Sequence, residues 1–436
     1  MERRYLKRAT RTSRSDAGSV HATVKSILEE IETGRDVAAQ AFAKKFDGTS
    51  GPFELTAVEI AGATASVPPR LQDDLAFAHD NIRRFAEAQR DSLGEFEIEV
   101  RPGFVAGQRC IPVETVGCYA PGGRYSHVAS AMMTVTTARA AGCGTVVLCS
   151  PPGENGRIDP AIVHVASLCG ADRVLAIGGV QAVAAMAFGL FGLPASDVIA
   201  GPGNQFVAEA KRILFGRVGI DMLAGPTDSL VIADSSADPD IVAADLVGQA
   251  EHGYNSPVWL VTNDPELAET VLKRVPHRIA ALPDRNRESA EAAWRDFAEV
   301  ILCDSREDMA ATADEYAPEH LTVLADDLDW WLGRLKSYGS LFLGEETTVA
   351  FGDKASGPNH VLPTSGAARY TGGLSVHKFL KVVTWQRSTV DGSRPIAEAT
   401  ARISRLEGME GHARTADIRL QKFFPNQSFD LVGDAS

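Results

Sequence analysis

The chain is poor in cysteine and has no paired cysteine motif. Its six cysteines, Cys110, Cys118, Cys143, Cys149, Cys169 and Cys303, are scattered through 436 residues without a single CxxC. That pattern argues against a disulfide scaffold and against a thiolate zinc site; it suits buried bystander thiols in a reducing compartment, and a cytoplasmic location is expected. No apolar run approaches the ~20 residues that span a bilayer. The basic opening MERRYLKRATRTSR has no apolar segment of the secretory kind; residues 1–20 read as a surface arm docked on the body or on a partner subunit, with a mitochondrial presequence as the alternative. Positive charge is in deficit, with 43 Lys+Arg against 57 Asp+Glu and a net charge of −14. Such a chain is a poor general binder of nucleic acid or anionic membrane. The dinucleotide fingerprint GxGxxG is also missing: GPGNQF at 201–206 carries only its first half. Low-complexity segments and close short-period repeats are absent.

What is present has the texture of an α/β protein. The length is too great for one simple core, so two or more domains are expected. Residues 22–46 read as two helices broken at Gly34, with Asp36 as a cap for the second, and 70–90 as another amphipathic helix. From about residue 113, short apolar runs ending in Gly or Pro (TVGCYAPGG, TVVLCSPP, RVLAIGG, DVIAGPGN) alternate with Ala-rich helical stretches. A second series follows: LVIAD, VWLVTND, EVILCDS, LTVLADD and LFLGEE. Alternation with crossover spacing predicts two parallel-sheet α/β units, Rossmann-like but incomplete, followed from about residue 366 by a helical, polar tail.

Four places could carry chemistry. Gln249 and His252 close a helix that starts at Asp238–Pro239, and a spacing of three puts both on one face near its end. Glu319–His320 follows Pro318 at the mouth of a predicted strand, where α/β enzymes place catalysis; a carboxylate there can activate water and an imidazole can take an alcohol proton. The irregular loop FGDKASGPNHVLPT at 351–364 presents Asp353, Asn359 and His360. Glu407 and His412 lie in a predicted tail helix and read as surface residues unless the tail folds into a site. Together these supply one Gln, two His and one Asp, a sulfur-free donor set compatible with zinc.

The segments GCYAPGG, GGVQAVAAMAFG, GPGNQFVAEAKR, IDMLAGP, GQAEH, APEHLTV, GPNHVLPT and LEGMEGHA, in this order, resemble the histidinol dehydrogenase family over nearly the whole chain. The resemblance implies that Gln249, His252, Asp353 and His412 hold zinc, that Glu319 and His320 are the catalytic pair, and that Tyr119, Gln181 and Asn204 contact NAD. It implies that Thr227, His360 and Glu407 border the substrate. It also implies a homodimer in which the tail of one subunit completes the other's site. On that reading, residues 21–115 with 228–365 form the zinc and catalytic domain, 116–227 the NAD domain, and 366–436 the dimer-completing tail. The implied reaction is oxidation of a primary alcohol through a bound aldehyde to a carboxylate, using two NAD.

Several segments depart from the family's usual pattern. AGPTDSLVIAD stands where AGPSEVLVIAD is common, LSVHKFLK has Lys378 where an Asp is usual, and GGRYSHVAS adds Arg124 and His127. Lost negative charge and added Lys378 and Arg124 suit an anionic substrate. With DWWLGRLKSYGSLFLGEETTVAFGDK and ARISRLEGMEGHARTAD, these segments are most similar to the sulfopropanediol 3-dehydrogenase branch, which oxidises (R)-2,3-dihydroxypropane-1-sulfonate to sulfolactate. L-Histidinol oxidation is the alternative. A zinc hydrolase using Glu319 and a non-enzymatic metal-binding scaffold remain open at this point.

Overall fold

The computed structural model describes residues 3–11, 17–122, 126–223 and 225–431. They divide into two compact units, one of residues 1–90 and 112–379, the other of 91–111 and 380–436. Arg124 lies outside the described residues.

The larger unit begins with strand β1 (Arg4–Lys7) and helices α1 (Ala17–Phe46), α2 (Ala57–Ser66) and α3 (Pro69–Asp91). α1 is two helices joined at a kink, where Arg35 has φ 52° and ψ −137°. The break at Gly34 is thus where the sequence puts it. Asp36, which follows the kink, accepts from the Phe191 amide at 3.1 Å. After β2 (Phe96–Arg101) and β3 (Phe104–Pro112), which belong to the smaller unit, the first parallel series runs β4 (Thr115–Tyr119), α4 (Val128–Ala141), β5 (Thr145–Ser150), α5 (Pro160–Leu168), β6 (Arg173–Ala176), α6 (Gly179–Phe188), β7 (Val198–Ala200), α7 (Gln205–Leu214) and β8 (Gly219–Ile220).

The second series is β9 (Ser229–Ala233), α8 (Pro239–Ala250), β10 (Val258–Thr262), α9 (Pro265–Ala280), α10 (Asp284–Phe297), β11 (Glu299–Leu302), α11 (Arg306–Tyr316), β12 (His320–Leu324), α12 (Leu328–Arg334), β13 (Ser340–Leu343) and α13 (Val349–Lys354). Three of these helices start alike. Asp159, Asp238 and Asp264 each precede a proline, and each side chain accepts a first-turn amide. Proline at the first helical position gives up an amide that would have no partner, and the carboxylate satisfies another.

The first sheet has the order β6-β5-β4-β7-β8, and the second β1-β11-β10-β9-β12-β13. Apart from β1, which pairs antiparallel with β11, every pairing in both is parallel. Counted from its own first strand, each parallel series reads 3-2-1-4-5, so both are Rossmann-like. The pairing of β1 docks the amino-terminal arm on a sheet edge. The helices before residue 70 lie elsewhere than expected: α1 packs on α6 and α7, and α2 on α5, all of the first series. The reason is apolar burial, since Val24, Ile27, Leu28 and Ile31 share one core with Leu175, Val183 and Leu214.

In the smaller unit, β14 (Leu380–Ser388) joins β3 and β2 in a three-stranded sheet, followed by α14 (Val390–Leu406) and α15 (Glu410–Phe423). The tail is therefore not helical throughout. The two helices pack through Ala397, Ala401, Ala416 and Leu420. Among the described residues, no helix is long and apolar enough to cross a membrane.

Candidate active site

The strand order of the first sheet reverses between β4 and β7, and a crevice opens at the carboxyl ends there. Tyr119 ends β4 and Gly201 follows β7. Gly201 has φ +121°, and a β-carbon on it would stand 2.1 Å from the Tyr119 carbonyl oxygen, so only glycine fits this close approach. The loop is pinned by a buried ion pair between Lys211 and Asp221. Lys211 Nζ donates to the Gly201 carbonyl at 2.9 Å, and Asp221 accepts the Gly201 and Met222 amides, each at 2.7 Å. Asn204 then caps α7, accepting from Phe206 and Val207. Tyr119, Gln181 and Asn204 line one cavity of about 600 Å³. The Tyr119 hydroxyl accepts the Gly179 amide at 3.0 Å, and burial pushes it up to about 12. Gln181 is 1 % exposed and donates to Asp47 at 2.9 Å.

The second sheet contributes its other end. His320 pairs with Ser229 at the start of both strands, so Glu319–His320 sits at the amino edge of the sheet and not at the carboxyl edge where such folds usually place chemistry. What delivers the pair there is the end of α11: Ala317 turns into the left-handed region at φ 48°, and Pro318 follows. At the same edge α8 ends, presenting Gln249 in its last turn and His252 just beyond. A second cavity, of about 340 Å³, is lined by Tyr119 and Asn204 from the first sheet's loops and by Thr227, His252, Glu319 and His360. Gln249, His320 and Asp353 are buried.

Distances tie these groups together. His320 Nε2 is 3.4 Å from Asp353 Oδ1, and His320 Nδ1 is 3.8 Å from Glu319 Oε2. His252 Nε2 is 3.7 Å from Asp353 Oδ2. His360 is held on both sides, by the Asp353 carbonyl and the Ser130 hydroxyl, each at 2.9 Å. Neither ring nitrogen of the buried His320 makes a hydrogen bond among the described residues. Burial pushes the Glu319 carboxyl up to about 8, with Asp228 and Asp353 adding to the rise and His320 opposing it. Burial works against a charged His320, but Glu319 and Asp353 outweigh it and hold the imidazole above its ordinary basicity. Burial likewise opposes the Asp353 carboxylate, yet its three histidine neighbours hold it well below the usual range.

A dication fits this donor set. Two donors of a tetrahedral ion at about 2.1 Å stand roughly 3.4 Å apart, close to the His252–Asp353 separation of 3.7 Å. The Gln249 amide oxygen, which accepts from Ser229 at 3.2 Å, has a second lone pair to offer. The carbonyl end of α8 adds negative potential beneath it. Among the described residues no three His, Cys, Asp or Glu side chains form a metal cluster by themselves. His412 and Glu407 belong to the smaller unit, exposed at the start of α15 and the end of α14.

The ammonium of Lys378 donates to the Thr371 hydroxyl at 3.3 Å, and Lys378 is not among the described residues that line the cavity. His127 does line it, and burial pushes its imidazole down to about 4. Lys354 bears on His127, His252 and His360, and it lowers the basicity of each.

Sequence reasoning missed Asp228, which builds the turn that presents Glu319. Its two oxygens accept the Glu319 amide at 2.7 Å and the Ser365 amide at 2.8 Å, and burial pushes its carboxyl up against these bonds. In Asp228→Asn one of those amides faces an NH₂ group instead of an oxygen. Leaving a buried donor unmet costs about 1–3 kcal/mol. A lower urea midpoint at unchanged m is expected, and an unchanged midpoint would show that the bonds do not matter to the fold.

A histidinol dehydrogenase family model matches residues 10–420. The chain is 64% identical over 430 residues to the sulfopropanediol 3-dehydrogenase of Ruegeria pomeroyi, covering 99% of each protein. It is 40% identical to the histidinol dehydrogenase of Methanosarcina barkeri, covering 90% of each. The crystal structure of histidinol dehydrogenase from Elizabethkingia anophelis superposes with a TM-score of 0.89 at 35% identity, covering 95% of each chain.

Proposed function

The chain belongs to the histidinol dehydrogenase family, and we propose that it oxidises (R)-2,3-dihydroxypropane-1-sulfonate to (R)-3-sulfolactate. The observation that carries this reading is the 64% identity, over 99% of both chains, to a sulfopropanediol 3-dehydrogenase. The balance is one alcohol, two NAD⁺ and one water giving one carboxylate, two NADH and three protons.

The metal set is Gln249, His252 and Asp353, with His412 of the smaller unit as the fourth, carried in a homodimer by a second copy. Tyr119, Gln181 and Asn204 bind NAD, and Thr227, His360, Glu407 and Arg124 border the substrate. When bound, zinc supplies Lewis-acid polarisation of the substrate oxygen and NAD accepts hydride. The residues of this chain move the protons. His320, buried and with neither nitrogen hydrogen-bonded among the described residues, takes the proton of the alcohol. Glu319, lining the cavity beside it, takes a proton from the water that adds to the aldehyde carbon. All six cysteines are free, which supports a reducing, cytoplasmic setting.

The test is NADH formation by zinc-loaded enzyme with 2,3-dihydroxypropane-1-sulfonate and L-histidinol in parallel. Two NADH per sulfonate and none with histidinol are expected. Chelation should abolish turnover while leaving NAD binding measurable, and added zinc should restore it. Turnover of histidinol alone would sink the sulfonate assignment and leave the family chemistry standing. Activity unaffected by chelation would remove the zinc.

A further inference from the structure

The two cavities meet. Tyr119, Gly122 and Asn204 line both. The smaller holds the groups that react, so a dinucleotide whose nicotinamide reaches them lays its adenosine half in the larger. This step rests on the NAD reading given above. The larger cavity has apolar faces from Ile27, Phe46, Val180 and Phe206, suited to a flat base. Its charged groups are Asp47 and Glu154, and among the described residues that line it there is no lysine or arginine.

Asp47 is fixed in place. Its Oδ2 accepts the Gly178 amide at 3.0 Å and Gln181 Nε2 at 2.9 Å. The amide of Gly179 goes to the Tyr119 hydroxyl. These two glycines open α6. A helix start of this kind commonly receives a phosphate, but here a carboxylate and a phenol already hold the amides. A phosphate arriving at this end would meet negative charge and occupied donors. Glu154 comes from the loop after β5, the second strand of the parallel series. In dinucleotide folds an acid in that neighbourhood accepts from the adenosine ribose 2′-hydroxyl, and an arginine stands there when the 2′-position is phosphorylated; here Glu154 lines the larger cavity, while Arg157 of the same loop lines the adjoining one.

We propose that Asp47 and Glu154 make this pocket selective for NAD over NADP: carboxylates that accept the ribose hydroxyls and repel a 2′-phosphate. Asp47 has a second task as a positioning residue, since it also orients Gln181.

Calorimetric titration of the full-length protein with NAD and with NADP, without substrate, tests this directly. Juxtaposed like charges cost several kcal/mol, so NADP should bind the unmodified protein on the order of 100-fold more weakly than NAD. Glu154→Gln, on an exposed loop, keeps an acceptor and removes the charge. It should narrow the NADP-to-NAD ratio about tenfold, and the pair Glu154→Gln with Asp47→Asn should narrow it further. Added salt should narrow the ratio in the unmodified protein and much less in the double variant. Equal affinity for both nucleotides in the unmodified protein overturns the proposal, as does a ratio that stays fixed in both variants. If neither nucleotide binds, the NAD reading itself fails and the selectivity falls with it.

Discussion

Replacing His320 with Gln is expected to lower kcat by about 10²–10⁴-fold, the usual worth of a positioned general base, with zinc content and NAD affinity unchanged. The size follows from the surroundings. The imidazole is 3% exposed, between Glu319 and Asp353, and neither nitrogen has a hydrogen-bond partner among the described residues. Gln has a similar reach and fills the same buried space, so the packing should be kept while the ion pair to Asp353 is lost. What is lost is a group that accepts a proton, and Gln cannot take one. The neighbouring carboxylates raise the basicity of this histidine against the burial that lowers it, whereas His127, His252 and His360 are all lowered. His360 and His127 are both pushed down to about 4 by burial and are poorer acceptors. Single-turnover NADH formation separates the chemical step from product release. A loss of less than tenfold there, with zinc retained, would mean that the alcohol proton leaves by another route.

The groups to which this chemistry is assigned were legible because each has a local signature. Asp238–Pro239 marks the start of α8, and its length puts Gln249 and His252 at the far end. Pro318 marks the turn into β12. The supporting residues have no such mark. Asp47 serves Gly178, 131 positions away, and Asp228 serves Glu319, 91 positions away. A carboxylate that pins a distant backbone looks, in the sequence, like any surface acid. β14 failed for a related reason: its partner β3 lies far upstream, and strand pairing at such distance is decided by tertiary contacts and not by local pattern. Lys378 shows a different limit. Its charge was legible, but its direction depends on the turn at 376–379, which brings the ammonium to Thr371. The edge of the second sheet on which the chemistry falls was also beyond reach, because strand direction and order must be known first.

Replacing Glu319 with Gln is expected to leave the first oxidation running and stop the second, so that the yield falls from two NADH per substrate to one and the aldehyde can be trapped with a hydrazine. The distinction comes from what each step removes. The alcohol gives up its own proton, and His320 is there to take it. The aldehyde must first gain water, and that water loses a proton to a carboxylate. Gln keeps the shape of Glu319, and its amide oxygen can still accept the Asp228 amide, a bond of 3.3 Å. It cannot accept a proton, so hydration should slow by about 10²–10⁴-fold. The first oxidation should slow by a smaller factor, since the charge of Glu319 supports the basicity of His320. Acidity offers a second check. Without metal the Glu319 carboxyl lies at about 8, and a dication in the cavity stabilises its charged form and lowers that value. Only the carboxylate serves as base, so with the aldehyde as substrate the rate should rise with pH through the carboxyl's titration and flatten above it. In the metal-loaded enzyme that rise lies below 8. Glu319→Gln should lack this limb altogether. Two NADH per substrate at an undiminished rate, or an aldehyde profile that keeps its acidic limb in the variant, would assign the hydration step to some other base.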